Sequence, residues 1–482
     1  MEAKDIIEKL KSRSADEVAL IERAFAFAQE KHENELRYSG EPYFIHPYAV
    51  AKTLAEMRLD TNTIIAGLLH DVCESAPEEE KKACEKSIVK EFGKDVAFLV
   101  EGVTKLGKLH AHGEERYLEN MRKMFLSIAQ DVRVVLIRLA DRLHNMQTLS
   151  AVPQHKQKRI ADETLEIYAP LAGRLGMGKL RGELEDLSFP FSHPVEYDAL
   201  IDKIKERREH KEVYLAKVKY KLGEELKKAS ITVSAIDARV KHVFSLYRKL
   251  QRHNNNLDEI YDIVALRVIV KDIADCYAVL GIVHKLWRPL PGKIKDYIAL
   301  PKPNGYQSIH TTVFCINGEI TEFQIRTEKM HDEAEHGIAA HWIYEHQGKP
   351  KVGGQVSKSL KWIAQIREWQ KESKGTKEFL ESLKIDVFKN RIFVFTPTGD
   401  VIDLPEGATP VDFAYLVHSE IGNHCGGAKV NDKMTSLEHH LKNGDKCEIL
   451  IQKNKKPSRS WLSFVKTNYA KSKIRASLEK NK

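Results

Sequence analysis

The spacing of apolar residues changes along this chain, and the change constrains the fold more than any other feature. Through residues 1–190, segments such as ADEVALIERAFAFAQEKHE and VRVVLIRLADRLHNMQTL place apolar residues three and four positions apart, which is the spacing of an amphipathic helix. From about residue 231, YDIVALRVIV and EITEFQIRT are rich in β-branched residues and alternate as strands do. We therefore predict an α-helical domain over 1–190 and an α/β domain that ends near residue 345.

The remaining segments predict a connecting helix, a linker, a third domain and a tail. Residues 201–230, dense in Lys, Arg and Glu, predict a long exposed helix or a helical hairpin, which we assign with the α/β domain to 191–345. A Gly/Lys-rich linker and further helices are predicted over 346–386. Residues 387–452 combine a hairpin, a helix and further strands, which predicts a compact α+β module. Residues 453–482 are predicted to be a basic tail.

Length and composition limit the class of protein. At 482 residues the chain has room for about three domains. It contains no run of about 20 apolar residues, the length of a membrane helix, and its charged N-terminus lacks the apolar region of a signal peptide. The six cysteines include no CxxC pair, so neither a disulfide framework nor a zinc finger is indicated. We therefore expect a cytoplasmic protein without membrane contact.

The net charge of +8 is unevenly distributed. The last stretch, residues 452–482, contains ten Lys or Arg residues and one Glu. Such a segment is either a solvated tail or a surface for polyphosphate or RNA, and charge alone does not distinguish the two.

Two histidines and two aspartates in the helical domain form a candidate metal site: His46 in YFIHP, His70 and Asp71 in LLHDV, and Asp141 in RLADRLHNM. Imidazole nitrogens and carboxylate oxygens suit a divalent ion that keeps positions for water. Asp141, Asn145 and Thr148 follow a helical period, so Asp141 would reach the metal while the other two face a substrate. Because such an ion lowers the pKa of its water, the set predicts a hydrolase. The alternative is a group of structural histidines and surface aspartates.

A basic helix face in the α/β domain predicts a site for a triphosphate. Arg239 stands just before a helix that is predicted to carry, on one face, Lys241, Ser245, Arg248 and Lys249. Three ammonium or guanidinium groups and a hydroxyl match the charge and the acceptor oxygens of a triphosphate. The alternative is a basic face that is merely solvated.

Two strand carboxylates predict a Mg²⁺ site in the same domain. Asp262 is at the head of one predicted strand, and alternation in TEFQIRT places Glu322, Gln324 and Arg326 on one face of another. If the strands are neighbours, Asp262 and Glu322 converge as oxygen ligands. Between them, PKPNGYQSIH predicts a turn-forming loop that presents Tyr306, whose ring can stack on a base, and His310.

Taken together, the motifs of this sequence resemble those of the RelA/SpoT family of alarmone synthetase-hydrolases. They stand in the family's order: YFIHP, LLHDV, GVTKL, LADRLHNM, YAPLAGRLG, ELEDLSF, PKPNGYQSIHTTV, QIRTEKMHDEAEHGIAAHW and VFTPTGDVIDLP. The resemblance implies an HD-type hydrolase that removes the 3′-pyrophosphate of (p)ppGpp with Mn²⁺. It also implies a nucleotidyltransferase-like synthetase that moves pyrophosphate from ATP to the 3′-OH of GDP or GTP, and a β-grasp TGS domain.

In the hydrolase domain, the resemblance assigns roles by motif. It implies that the Mn²⁺ ligands are His46, His70, Asp71 and Asp141. Glu74 would be the acidic catalytic residue beside them, and Arg37 and Asn145 would contact the substrate.

In the synthetase domain, the resemblance assigns Arg239 to the adenine side of ATP. It implies that the phosphates of ATP are bound by Lys241, Ser245 and Lys249. The Mg²⁺ ligands and catalytic acids would be Asp262 and Glu322, and the guanine side would be lined by Asn304, Tyr306 and His310. Lys295 is a further predicted substrate contact. It belongs to KIKD (293–296), which is similar to the basic RxKD motif of members with both activities, with Lys293 in place of Arg.

For the TGS domain, the resemblance implies contact with the 3′ end of uncharged tRNA, and the basic tail extends this expectation to the ribosome. The candidate residue is His418 in YLVHSEIG, because a histidine ring can stack on an unpaired base. The alternative is a histidine packed at a helix end.

The sequence departs from the family's pattern at three places. Ser75 replaces the aspartate expected after Glu74, and Tyr38 replaces a basic residue after Arg37. The sequence also ends shortly after the TGS module, before the zinc-finger-like and ACT domains of full-length members. Three functions therefore stay open: a bifunctional synthetase-hydrolase, a synthetase whose HD domain is only regulatory, and an RNA-associated regulatory module.

Overall fold

The computed structural model describes residues 1–10, 13–74, 77, 79–107, 127, 130–252, 264–302, 304–340 and 391–480. These residues form two compact units. The first contains the described residues of 1–105 and 131–340, and the second contains the described residues of 106–130 together with residues 391–480. Among the described helices, none has the length and apolar character needed to cross a lipid bilayer.

Helices make up the first unit as far as residue 228, which confirms the predicted α-helical domain. Their bounds are α1 (Ala3–Ile7), α2 (Ala15–Lys31), α3 (Ile45–Glu56), α4 (Thr61–Leu69), α5 (Lys81–Gly107, interrupted at Gly93), α6 (Val132–Gln147), α7 (Gln154–Glu163), α8 (Ala169–Arg174), α9 (Gly178–Ser192) and α10 (Pro194–Lys228). Polar residues cap several N-termini, since Ser14, Asp60 and Asp131 each accept a hydrogen bond from a backbone N–H of the first turn.

Close packing of α3 and α4 brings the candidate metal ligands together. Gly67 on α4 faces α3, and a Cβ there would lie 2.5 Å from Cδ1 of Leu54. Every residue of α4 except Asn62 is buried, because TNTIIAGLL has apolar residues all round the helix. α6 packs against both helices. His46 at the start of α3 and His70 directly after α4 therefore meet Asp141 on α6.

The segment before the sheet is one helix, α10, and not a hairpin. The prediction that it is exposed is wrong for one face, where Leu215, Val218 and Leu222 are buried in the core of the α/β domain. These positions are three and four residues apart, so they form an apolar stripe within a highly charged segment. The high content of Lys, Arg and Glu in this segment predicts an exposed helix and gives no sign of this stripe.

A five-stranded sheet comes next in the chain, which confirms the predicted α/β domain. Its elements are β1 (Val233–Val240), α11 (Val243–Arg252), β2 (Val264–Val270), α12 (Ile273–Leu286), β3 (Arg288–Asp296), β4 (Ile309–Phe314), β5 (Ile320–Thr327) and α13 (Glu328–His336). The strand order is β1-β2-β5-β4-β3, in which β2 and β5 are parallel and the other neighbours antiparallel.

The two faces of β5 differ as the alternation predicts. Phe323 and Ile325 have no exposed surface and belong to the core shared with α10 and α12. Glu322 and Gln324 lie on the opposite face, and Glu322 is paired in register with Ala265 of β2. The strands predicted to carry the two Mg²⁺ ligands are therefore neighbours, although Asp262 itself lies outside the described residues.

The predicted helical position of Lys241 is wrong. α11 begins at Val243, so Lys241 lies in the turn after β1. The carbonyl of His242 accepts the first hydrogen bond, from the N–H of Leu246. The N–H of Phe244 donates to a carboxylate on α9, that of Asp186. Because this capping group comes from another helix, local sequence did not mark where α11 starts.

Cys73 and Cys84 form a disulfide, with Cα atoms 5.7 Å apart. Sequence analysis did not indicate this bridge, because the 11-residue spacing matches no familiar motif. The bridge joins the segment after α4, which carries Glu74, to the start of α5. The other four cysteines are free and buried.

The second unit confirms the predicted α+β module. Its elements are β6 (Arg391–Phe395), β7 (Val401–Pro405), α14 (Pro410–Val417), α15 (Ser419–Asn423), β8 (Cys425–Val430), β9 (Lys433–Thr435), β10 (Cys447–Ile451), α16 (Trp461–Phe464) and α17 (Asn468–Lys480). β6 and β7 form a hairpin, and β8 lies between β10 and β9. The basic segment after residue 452 is folded, since Trp461, Val465 and Ile474 are buried in the same core as Tyr415.

Asp412 on α14 connects this C-terminal segment to the module. Its carboxylate has no exposed surface. It accepts hydrogen bonds from the backbone N–H and the hydroxyl of Thr409, each at 2.8 Å. It also accepts from the N–H and the hydroxyl of Thr467, each at 2.7 Å. Five donors, with the N–H of Lys466 included, satisfy this buried charge.

Candidate active sites

Three buried side chains of the helical domain form a cluster that can bind a metal ion. One ligand atom each from His46, His70 and Asp141 lies within 4.8 Å of the others. Asp71 joins them, with Oδ2 3.1 Å from Nε2 of His70 and 3.5 Å from Nε2 of His46. Tyr43 donates its hydroxyl to the same oxygen at 2.9 Å. The structure therefore brings the four predicted ligands together.

The charges around this cluster fit a divalent cation. Burial lowers the pKa of His70, but the charges of Asp71 and Asp141 together with the contact to Gly67 outweigh burial and raise it to about 9. Burial would likewise raise the pKa of Asp141, whereas Arg138 and His46 hold it well below its usual range. Nε2 of His70 is buried and makes no hydrogen bond to any described residue. A pair of carboxylates that favours a proton on His70 would also favour a metal ion there.

His70 and His46 are oriented by their other ring nitrogens. Nδ1 of His70 lies 2.9 Å from the carbonyl oxygen of Gly67. Nδ1 of His46 lies 2.9 Å from Nδ1 of His144, whose pKa is lowered to about 3 by burial and by the charges of His46 and Arg37. Both contacts aim Nε2 towards the carboxylates, as the hydrogen bonds behind metal-binding histidines usually do.

Arg37 lies beside this cluster as predicted. Its guanidinium donates to Oδ1 of Asn145 at 3.2 Å and to Oγ1 of Thr148 at 3.0 Å. Asn145 in turn donates to Asp141. Burial lowers the pKa of Arg37. The three residues predicted to face a substrate are thus in contact with one another.

Glu74 lies next to the cluster, and burial together with the charge of Asp71 raises the pKa of its carboxyl group. A carboxyl group with a raised pKa suits general acid–base work. Ser75 lies outside the described residues. Tyr38 is 69% exposed, and the ammonium of Lys156 lies 5.8 Å from the centre of its ring.

In the α/β domain, a continuous series of side-chain contacts crosses the polar face of the sheet. Arg239 donates to Oε1 of Gln324 at 2.7 Å, and Gln324 donates to Oε1 of Glu322 at 3.2 Å. The same oxygen lies 2.9 Å from Nδ1 of His310, whose Nε2 lies 2.8 Å from the hydroxyl of Tyr306. Residues from β1, β5, β4 and the PKPNGY loop thus meet at Glu322.

The PKPNGY loop holds its residues by local hydrogen bonds. Asn304 is exposed, and its Oδ1 accepts from the N–H of Tyr306 at 3.3 Å. Gly305 has φ +81°, a left-handed conformation that favours glycine. The loop therefore presents the ring of Tyr306 next to His310.

Lys302 is a residue of this site that the sequence analysis missed. Its ammonium lies 4.5 Å from the ring centre of Tyr297 and 4.9 Å from that of Tyr306. Burial, with the nearby charges of Lys295 and Arg181, lowers the pKa of Lys302 to about 8. Its position between two prolines in PKPNGY was the available signal, but the sequence did not show that two rings enclose it.

The residues predicted to bind ATP phosphates are near one another but have partners of their own. Ser245 donates its hydroxyl to Oε2 of Glu185 on α9 at 3.3 Å. Lys241 and Lys249 are half-buried, whereas Lys295 is exposed on β3, in register with His310 of β4.

Comparison with known proteins identifies three regions of the chain. Residues 24–178 match the HD domain, residues 238–349 match the region found in RelA/SpoT proteins, and residues 392–451 match the TGS domain. The guanosine-3′,5′-bis(diphosphate) 3′-pyrophosphohydrolase of Aquifex aeolicus is 47% identical over 475 residues, 98% of this chain and 66% of that protein. The chain belongs to the RelA/SpoT family.

Other members of the RelA/SpoT family give the same picture. The GTP pyrophosphokinase of Myxococcus xanthus is 47% identical over 95% of this chain and 60% of its own length. The bifunctional (p)ppGpp synthase/hydrolase SpoT of Escherichia coli is 44% identical over 96% of this chain and 65% of its own length. The chain thus spans less than two thirds of these relatives.

Among solved structures, the small alarmone synthetase 2 of Bacillus subtilis matches 35% of this chain and 94% of its own length. The sequence identity is 28% and the TM-score is 0.25.

Proposed function

We propose that this RelA/SpoT protein transfers pyrophosphate from ATP to the 3′-hydroxyl of GDP or GTP. The observation that supports this most is the series of contacts from Arg239 through Gln324, Glu322 and His310 to Tyr306. It runs from the residue assigned to adenine, past a carboxylate, to the residue assigned to guanine. A site with this layout suits a reaction between two purine nucleotides.

In the proposed reaction, the 3′-oxygen of the acceptor attacks the β-phosphorus of ATP. The bond from that phosphorus to the oxygen bridging the α- and β-phosphates breaks, and AMP leaves. Glu322 is placed to accept the proton of the 3′-hydroxyl, with His310 holding its carboxylate from one side and Gln324 from the other. Mg²⁺, held by Glu322 and Asp262, would neutralise charge on the phosphates.

We also propose that the helical domain hydrolyses (p)ppGpp to GDP or GTP and pyrophosphate. The cluster of His46, His70, Asp71 and Asp141 would hold Mn²⁺, which supplies the Lewis acidity that makes water nucleophilic near neutral pH. Arg37, held by Asn145 and Thr148, binds the phosphates of the substrate, and Glu74 transfers protons. The names of the relatives from Aquifex aeolicus and Escherichia coli support this second activity.

Two separate assays with the purified chain test these proposals. ATP, GDP and Mg²⁺ should give ppGpp and AMP, whereas ppGpp and Mn²⁺ should give GDP and pyrophosphate. Glu322→Gln keeps the shape of the side chain and removes its charge, so it should abolish most synthesis and leave hydrolysis intact. Asp141→Asn should do the reverse. Near-normal ppGpp formation by Glu322→Gln would exclude the proposed synthetase site.

The basic KIKD stretch makes a finer proposal about the acceptor. Lys295 is exposed beside His310 and would attract the phosphates of the acceptor. We expect GDP to be used at least as well as GTP. Direct competition of the two nucleotides in one assay measures the preference, and a clear excess of the GTP product would contradict it.

The TGS domain supports a proposal about RNA. His418 is exposed at the start of α15, where its Nδ1 accepts from the N–H of Glu420 at 3.2 Å. We propose that its exposed ring stacks on an unpaired base, as at the 3′ end of uncharged tRNA. His418→Ala should weaken tRNA binding at fixed salt, whereas His440→Ala, which removes another exposed histidine of the same unit, should not. Equal binding by both variants would place the contact elsewhere.

A further inference from the structure

α9 and the residues directly before α11 pack closely against each other at Gly182. The imidazole of His242 lies against the backbone of α9, and a Cβ at position 182 would lie 2.1 Å from its Nε2. No side chain larger than hydrogen fits there unless the ring moves. The turn between β1 and α11 therefore contacts the helical domain at van der Waals distance.

A carboxylate of α9 fixes the same turn by two hydrogen bonds. Oδ2 of Asp186 lies 2.8 Å from Nδ1 of His242, and Oδ1 accepts from the N–H of Phe244 at 3.0 Å. Phe244 is in the first turn of α11, where a negative charge is favourable and a capping oxygen is needed. The residues before α11, Lys241 and His242, are not the types that usually cap a helix. Asp186 supplies the cap instead.

α11 is also the helix that carries the proposed phosphate contacts of ATP. Ser245 is in its first turn and Lys249 in its second, and Arg239 precedes it on β1. Glu185, the neighbour of Asp186 on α9, accepts from the hydroxyl of Ser245. A small displacement of α11 would move all these groups together, and positioning errors of about 1 Å are costly at such sites.

We propose that Asp186 and His242 are positioning residues for ATP in the synthetase site. They act through α11, because Asp186 caps the helix and holds the imidazole that rests on Gly182. This inference rests on the proposed synthetase function. It assigns a role in ATP use to the ELEDLSF motif, which lies outside the sheet.

The charges that face His242 give the contact a pH dependence. The hydrogen bond that His242 donates to Asp186 raises the pKa of His242, and the charge of Glu185 adds to this, whereas burial and the charge of Arg239 lower it. Because the pKa is raised in the folded protein, the charged pair is present below that pKa and is lost as pH rises through it. The position of α11 should therefore be less well fixed on the alkaline side. Burial raises the pKa of a neighbouring carboxyl group, that of Glu183, whereas the charge of His242 lowers it.

Three variants test the inference by steady-state kinetics of ppGpp formation, with ATP and GDP varied in turn. Asp186→Ala should raise the KM for ATP about three- to tenfold and leave the KM for GDP unchanged, because the loss of a helix cap is typically worth a factor of this size. Gly182→Ala should act in the same direction by displacing the ring. Asp186→Asn keeps an oxygen that accepts from the N–H of Phe244, so it should raise the KM for ATP less than Asp186→Ala does. The wild-type KM for ATP should rise at alkaline pH, where the charged pair with His242 is lost. Asp186→Asn has no such pair, so this rise should be absent. Asp198→Asn, an exposed carboxylate of α10, is the control.

Direct titration with a fluorescent ATP analogue separates this inference from the proposed function. If the wild-type protein forms no ppGpp, the proposed function is wrong. The titration still tests the inference, because the Asp186 variants should bind the ATP analogue more weakly than the wild type does. If the wild-type protein is active and the variants match it in the KM for ATP, or if both nucleotides are affected equally, Asp186 and His242 do not position ATP. Should Asp186→Ala not fold, the isosteric Asp186→Asn, checked by thermal melting, decides the result.

Discussion

Tyr306 is in contact with two parts of the synthetase site through two different parts of its side chain. Its hydroxyl lies 2.8 Å from Nε2 of His310, which leads to Glu322. The ammonium of Lys302 lies 4.9 Å from the centre of its ring. One residue thus connects acceptor binding with the carboxylate proposed to take the proton. A substitution that removes the whole side chain and one that removes only the hydroxyl can distinguish these two contributions.

We expect Tyr306→Ala to raise the KM for GDP by one to two orders of magnitude and to change the KM for ATP little. The reason is that a base–aromatic stack contributes about 1–3 kcal/mol, and about 1.4 kcal/mol corresponds to a factor of ten. Tyr306→Phe keeps the ring and loses the hydroxyl, so its KM for GDP should stay close to that of the wild type. Equal effects of the two variants on GDP would show that stacking is not the role of the ring.

Ser75 is the departure from the family's pattern that concerns the proposed hydrolase most directly, because it follows Glu74. A serine hydroxyl can hydrogen-bond and orient water, but it carries no charge and moves no proton at neutral pH. The metal cluster is nevertheless complete, with His46, His70 and Asp141 all buried in place. The proposed hydrolase site therefore keeps its candidate metal ligands and has one carboxylate fewer than the family's pattern.

Ser75→Asp should increase ppGpp hydrolysis. General acid–base help of this kind is typically worth about 10²–10⁴ in rate, of which Glu74 already provides a part. Ser75→Asn is the matched control, because it has the same shape without the charge and should not increase the rate. Hydrolysis is measured as release of GDP from ppGpp with Mn²⁺. If the wild-type chain binds no Mn²⁺ and neither variant is active, the HD domain is only regulatory.

At the scale of elements, the Cys73–Cys84 bridge holds α5 to the end of α4. The loop that it closes includes Glu74, the proposed acid beside the candidate metal ligands. Cross-linking a short loop restricts the unfolded chain and typically stabilises the folded state by about 2–4 kcal/mol. The bridge therefore stabilises the segment that carries the catalytic acid.

Cys84→Ser should lower the melting temperature of the protein, and dithiothreitol should lower that of the wild type to a similar value. The variant has no bridge to reduce, so its own melting temperature should not respond to the reductant. Thermal melting with and without dithiothreitol measures both effects. A wild type that melts identically in both conditions, with both thiols titratable beforehand, would show that the bridge does not form in solution.

The elements were largely predictable from sequence, because each depends on spacing within one segment. The alternation in TEFQIRT placed Glu322 and Gln324 on one face and Phe323 and Ile325 on the other, as the structure has them. The metal cluster was predictable for a related reason. Its residues stand in short, distinctive motifs, and helical periods align them.

Features that depend on contacts between distant segments were not predictable. α11 starts at Val243 because a carboxylate from α9 caps it, so Lys241 was assigned to the wrong element. Cys73, after α4, pairs with Cys84 in α5, a pairing that no sequence motif marks. The rings that enclose Lys302 belong to its own loop and to Tyr297 before it. Local propensity contains no information about such partners.

At the scale of the whole molecule, the second unit extends beyond the region that matches the TGS domain. That match ends at residue 451, but the core of the unit includes Trp461, Val465 and Ile474. Removal of residues 453–482 would therefore expose apolar surface on α14. It would also remove from Asp412 the donors at Lys466 and Thr467.

A chain that ends at residue 452 should lose the folded state of this unit. A buried carboxylate without its partners is strongly destabilising, and each hydrogen bond to a charged group typically contributes about 1.5–3 kcal/mol. In that shortened chain, Asp412→Asn should recover part of the stability, because an amide needs fewer donors. Limited proteolysis compares the two shortened chains with the full one. Equal resistance of all three would show that the C-terminal helices are dispensable.

Asp412 thereby sets a lower limit on the size of a transplantable TGS module. A fusion protein or a recombination event that transferred only residues 392–451 would include the buried carboxylate of Asp412. It would lack the donors of Lys466 and Thr467. The module can move between proteins intact only if residues 466–467 move with it. We therefore expect the segment that is inherited as one folded unit to extend beyond residue 451, where the match to the TGS domain ends.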